Sequence, residues 1–117
     1  MKPRPSDPTR VKVEDSVFER AYSVVVYLRD VQGRPEGAQR FWSDYMDAVA
    51  TLRSDPYSGW FVEDEALGIR CYPVRLGYFL MYRELRGGRF QVFALPHEKE
   101  NLRDWEKFLG DWEPRGP

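Results

Sequence analysis

Cysteine and histidine are almost missing from this chain. Among 117 residues there is one of each, Cys71 and His97. A lone cysteine excludes an internal disulfide and argues against a cysteine-based metal site. A lone histidine excludes a multi-histidine zinc site, and any nucleophile–histidine–acid triad would have to use His97. No metal and no cofactor is expected. Long apolar runs are missing too: nothing approaches the roughly 18 residues that a membrane-spanning helix needs. The opening "MKPRPSDPTR" holds no apolar segment of the secretory-signal kind, so a reducing cytoplasm is the expected location. There is no G-x-x-x-x-G-K phosphate loop, and Gly87-Gly88 reads as a hairpin turn. An excess of positive charge is also absent. The formal net charge is −1, unlike that of a protein that coats nucleic acid.

What is present is a composition of the folded, globular kind: 42% hydrophobic and 32% charged, with aromatics high at 15%. The charge is unevenly spread. Residues 66–97 carry five arginines against Glu84 alone, whereas both flanking stretches are net acidic. "VEDEAL" puts Glu63, Asp64 and Glu65 side by side. Adjacent carboxylates seldom converge on one ion, so this reads as a solvated loop.

Pro3, Pro5 and Pro8 make residues 1–9 a flexible arm. "RVKVE" (Arg10–Glu14) alternates as a short strand. "DSVFERAY" then opens a helix in which Ser16 and Glu19 have the spacing of a capping box. Phe18, Ala21, Tyr22, Val25 and Leu28 follow on one helical face. "VQGRPEG" breaks the helix. A second begins near Pro35, carries Ala38, Phe41, Trp42, Tyr45, Val49 and Leu52 on one face, and stops before Pro56. "YSGW" reads as a turn. Gly68–Val74, Tyr78–Glu84 and Arg89–His97 read as strands joined by tight turns at Leu76-Gly77 and "RGG". Leu102, Trp105, Phe108/Leu109 and Trp112 predict a short closing helix, and residues 113–117 a flexible tail. The expected fold is a single α+β domain over residues 10–112. Its order is β-α-α-β-β-β, with a helix hairpin on one face of a small, mainly antiparallel sheet.

Alternation puts Tyr78, Leu80 and Tyr82 on one sheet face and Phe79, Met81 and Arg83 on the other. In the last strand it groups Phe93, Leu95 and His97 against Val92, Ala94 and Pro96. Neither face is cleanly polar. A sheet face carrying both rings and guanidiniums has the composition of a protein-binding surface, although an arginine on a sheet often only lays its stem along it.

Several local motifs, in this order, resemble the RelE/ParE superfamily of type II toxins over about residues 10–101. The second helix runs into L-x-x-x-P-x-x-G (Leu52, Pro56, Gly59). "GIRCYPVRLGYFLMYR" is similar to a ParE-like strand pair through Gly68, Arg70, Pro73, Val74, Tyr78, Leu80, Tyr82 and Arg83, and "VFALPH" to a final apolar strand ending in His97. The ParE-like branch implies a toxin that inhibits growth by binding a macromolecule, DNA gyrase, and is neutralised by a cognate antitoxin. The residues implied in binding are Arg70, Arg75, Tyr78, Tyr82, Arg83, His97 and Trp105. No catalytic side chain is required on that reading. The RelE branch implies instead a ribosome-dependent, metal-independent mRNA endonuclease, for which Arg70, Arg83, His97 and Lys99 are the candidate catalytic residues. Phe79 stands where that branch keeps a catalytic arginine, and Trp105 is the nearest aromatic to its C-terminal tyrosine; in the family at large the last-strand histidine is followed shortly by Arg-Asp, where this chain has "HEKEN" with Lys99 in the basic place. A non-toxic relative that only binds its partner is the third alternative. Self-association into a homo-oligomer stays open.

Overall fold

The computed structural model describes residues 10–62, 65–102 and 107–108. β1 (Val11–Val13) leads into α1 (Asp15–Val26), which a π-helical segment (Tyr27–Val31) prolongs. α2 (Pro35–Ser54) returns antiparallel, and β2 (Trp60–Phe61), β3 (Ile69–Arg75), β4 (Tyr78–Glu84) and β5 (Phe90–Ala94) complete one sheet. Its strand order is β1-β5-β4-β3-β2. β1 pairs in parallel with β5, and the other pairings are antiparallel. The expected α+β fold, with two helices packed on a small, mainly antiparallel sheet, is the fold observed. The arm 1–9, Glu63, Asp64, Trp105, Trp112 and the tail 113–117 lie outside the described residues.

The junction of β1 and α1 corrects the expected capping box. Glu14 is still in the extended region (φ −68°, ψ 149°) and donates its N–H to Val92 O at 3.1 Å. Its own carbonyl already accepts the N–H of Val17 at 3.0 Å. The helix therefore starts directly off the sheet, Ser16 falls inside the first turn, and no side chain caps that end. The buried face of α1 is Val17, Ala21 and Val24, continued by Leu28. Phe18 and Tyr22, expected in the core, are 50% and 53% exposed. The small aliphatic stripe one position earlier packs closer to the sheet, and it wins. In α2 the expected face holds: Ala38, Phe41, Tyr45, Val49 and Leu52 are buried, with Trp42 half-buried against them. Pro35 occupies the first turn, where its missing N–H costs nothing.

The sheet differs from its expected form in three ways. "YSGW" is not only a turn, because Trp60 and Phe61 add a short edge strand opposite Cys71 and Arg70. β5 ends at Ala94, and His97 rejoins the sheet through a single bridge to Tyr78. Between β4 and β5 the register passes from Met81↔Ala94 to Tyr82↔Val92, which leaves Phe93 as an extra residue. That bulge breaks the alternation. Val92 and Leu95 therefore share the helix side with Leu80 and Tyr82, while Phe93 and Ala94 turn to the opposite side with Met81. The far side is itself a second core of Ile69, Cys71, Met81, Phe93 and Ala94, packed against Val62, Phe79, Leu102 and Phe108. Among the described residues, no helix is long and apolar enough to cross a membrane.

Candidate functional site

The candidate residues distribute along β4 and its neighbours, and the strand register says which of them can meet. Arg70 lies opposite Tyr82, and Ile69 opposite Arg83. Arg70 and Arg83 are thus one step apart in register and project from opposite faces. Tyr78, the bridge partner of His97, is five residues from Arg83 on β4, about 17 Å in an extended strand. Arg70, Arg83 and His97 do not surround a common point.

Tyr82 and Arg83 were expected on an open, gripping surface, and that expectation is corrected. Tyr82 is fully buried. Its hydroxyl donates to Pro56 O at 2.8 Å and accepts the N–H of Gly59 at 2.9 Å. It therefore ties the turn after α2 to the centre of the sheet. Burial pushes its phenol up to about 12, against the smaller opposing effect of the Gly59 N–H. Arg83, 8% exposed, donates through Nε to Gln91 Oε1 at 2.8 Å, and Gln91 Nε2 donates to Glu14 Oε2 at 3.3 Å. The result is a polar ladder across β4, β5 and the end of β1 that supplies a buried guanidinium with a carboxylate at one remove. Buried charges persist only when partnered in this way.

Arg70 sits half-buried at the edge of the sheet. Its Nη1 donates to Gly59 O at 3.1 Å and to Tyr57 O at 3.3 Å, and its guanidinium carbon stands 4.1 Å from the Phe61 ring centroid. Tyr57 has a second guanidinium nearby, that of Arg10 at 5.7 Å from its centroid. Arg75 points to the helix side and pairs with Asp44 of α2 at 3.0 Å.

His97 is held by its own neighbours. Leu76 O, an acceptor only, lies 3.0 Å from Nε2, so the hydrogen is on Nε2; Nδ1 then accepts the N–H of Lys99 at 3.1 Å. Tyr78 meets the imidazole edge to face at 4.8 Å. Both ring nitrogens are engaged within the chain, and neither points at an open site. The bond to Leu76 clamps a turn in which Leu76 (φ 56°) and Gly77 (φ 83°) both adopt left-handed backbone. Beside it, Glu100 accepts from Arg20 at 2.9 Å and from the backbone N–H of His97 at 2.8 Å. Cys71 is fully buried, and burial pushes its thiol up to about 12, so it is an inert core residue.

Phe18 and Tyr22, which the periodicity placed in the core, are among the large apolar residues left facing solvent. Phe18 and Tyr22 stand one turn apart on α1, and Trp42 and Met46 one turn apart on α2. The Phe18 and Trp42 rings meet edge to face at 5.5 Å and so join the two pairs. Met46 is 48% exposed. An aromatic and thioether strip, joined between the helices by the Phe18–Trp42 contact, therefore runs across the helix hairpin. A signal for it existed in the sequence: Val17, Ala21, Val24 and Leu28 form an equally regular and wholly aliphatic stripe, which leaves Phe18 and Tyr22 beside it rather than on it. No protein-family model and no curated protein matches this chain.

Proposed function

We propose that this protein is a growth-inhibiting toxin of the ParE-like kind. It acts in the cytoplasm by binding a macromolecular target, DNA gyrase, and is held in check by a cognate antitoxin. The observation that carries the reading is the strip on the helix hairpin made by solvent-facing Phe18, Tyr22 and Met46 with half-buried Trp42 between them. Exposed rings and a flexible thioether are what an amphipathic partner helix buries when it lies in a groove. The antitoxin is assigned to this strip, and the two-residue edge strand β2 offers it a further place to pair. The resemblance in the strand motifs and the observed element order support the same assignment.

The endonuclease alternative is disfavoured by geometry. Cleaving RNA without a metal needs a base, an acid and a cation around one phosphate. Arg83 is buried, His97 has both ring nitrogens bonded, and Arg70 projects from the face opposite to Arg83. Phe79 supplies no charge at the position where that branch uses one.

Induced expression tests the reading. Growth arrest with DNA damage is expected, relieved by co-expression of the antitoxin. Phe18→Asp/Tyr22→Asp is expected to keep the arrest and lose the relief. Unimpaired growth at every expression level overturns the proposal. Cleavage of mRNA in the ribosomal A site would move the assignment to the endonuclease.

A further inference from the structure

Some cations of this molecule are matched within it and some are not. Arg20, Arg29 and Arg75 each meet a carboxylate at 2.8–3.0 Å. Arg34 and Arg40 meet none among the described residues. These two, together with Arg75, line a concavity of about 430 Å³ between the start of α2 and the β3–β4 turn. Among the described residues, Glu36 is the one carboxylate on its wall. It stands four residues before Arg40, the spacing at which helical ion pairs form, yet makes no ion pair. Arg75 shares its charge with Asp44, which lies outside the lining.

The placement of Arg34 adds to this imbalance. Its side chain folds back over Gly37: a Cβ built there would lie 3.6 Å from Arg34 Nε and 3.8 Å from Nη2. A guanidinium is thereby held against the positive end of a 20-residue helix, the end where cations are disfavoured. Arg34 also occupies the N-cap position that serine, threonine, aspartate or asparagine would normally take, and no side chain caps the turn. Three guanidiniums around one hollow repel one another with or without the helix behind them.

We infer that this hollow binds the phosphate group of a phosphate-bearing small molecule or strand end. Three planar guanidiniums lining one hollow offer more N–H donors than the two oxygens of a carboxylate can take up, whereas a phosphate presents three or four oxygens. The hollow has the size of a small-molecule site and exceeds a single phosphate, so part of the carrier enters with it. The net charge of −1 disfavours a long polyanion spread over the surface, which leaves one compact, highly charged group. The inference is independent of the growth-inhibition reading, and its test uses no growth readout.

The full chain, labelled with ¹⁵N, is titrated at constant ionic strength with pyrophosphate, with ATP, and with a short oligonucleotide bearing or lacking a 5′-phosphate. Saturable shifts of the Glu36, Gly37 and Arg40 amides are expected. Binding of pyrophosphate and ATP assigns a free nucleotide; binding only of the 5′-phosphorylated strand assigns a nucleic-acid end. Arg34→Ala/Arg40→Ala is expected to bind about 10- to 100-fold more weakly, from the loss of two charge-assisted donors, with an unlowered melting temperature because both side chains are exposed and their mutual repulsion is removed. If that double variant melts early, Arg40→Gln alone, expected to weaken binding about 10-fold, provides the same comparison. No saturable shift with any probe overturns the inference. So does equal binding of the unphosphorylated strand, undiminished binding by the folded variant, or tighter binding of an acidic peptide than of any phosphate.

Discussion

At one end of β4, the Tyr82 hydroxyl is sealed inside the molecule and bonded to two backbone groups of the turn after α2. At the other end, Tyr78 is half-buried: one side of its ring meets buried Phe41 edge to face at 5.4 Å, and the other meets His97, which is bonded across a tight turn. The two tyrosines share a strand and a face, and their motif positions looked equivalent. Their surroundings make one a hydrogen-bonded bolt sealed inside the molecule and leave the other packed on one side only, at the rim of the core. Residue type and spacing thus mark a position as special without saying whether it serves the fold or a partner.

The comparison can be broken most forcefully at Gly59. A Cβ there would lie 2.5 Å from the Tyr82 hydroxyl and 2.6 Å from Cys71 O, and the latter is backbone that cannot swing aside. Gly59→Ala is expected to destabilise the fold by about 3 kcal/mol through overpacking, read by urea denaturation. Tyr82→Phe follows, at about 2 kcal/mol, because it strips the buried N–H of Gly59 of its acceptor.

The same end sets an alkaline limit. Burial holds Tyr82 and Cys71 protonated, each pushed up to about 12 from ordinary values of 10.0 and 9.0. Between the ordinary and the raised values the unfolded chain has lost protons that the folded chain keeps. Stability is therefore full below pH 9.0 and falls as pH rises from there to about 12. Unfolding curves at pH 8, 10 and 11 check the sign. A flat profile would mean that water reaches Tyr82 and Cys71.

At the open end the effects are smaller. Gly77→Ala is expected to cost about 1–2 kcal/mol from left-handed backbone at φ 83°. Its new methyl also crowds Glu98 at 2.8 Å, a long side chain that can move away, and His97 Nε2 at 2.9 Å. The smallest effect belongs to Arg75→Ala, which removes an ion pair of partly exposed side chains and is expected to change stability by less than about 0.5 kcal/mol. If Arg75→Ala proved as costly as Tyr82→Phe, the contrast between the two ends would fail.

Much of the fold was legible because it rests on local rules. Pro35 and Pro56 bracket α2, and left-handed Gly77 marks the β3–β4 hairpin. The candidate site was less legible. Phe18 and Ala21 fit a helical period as well as Val17 and Ala21 do, and only packing against the sheet chooses between them. The bulge at Phe93 leaves no mark in its own sequence, yet it decides which residues of β5 share a face with Tyr82. Arg83 has the local setting of a surface arginine, and Gln91, which it bonds, and Glu14, which Gln91 bonds in turn, come from two other parts of the chain.

By itself, the sequence determined the two helices and the three long strands in their order, that the sheet is mainly antiparallel, and that the chain has no cysteine pair or histidine cluster to work with. Those properties depend on neighbours a few residues apart. The tertiary structure alone decided which tyrosine is bolted into the core, which arginine is buried, which rings face solvent and which guanidiniums gather in one hollow. Each of these depends on contacts between residues far apart in the chain, and burial and charge act through distance in space.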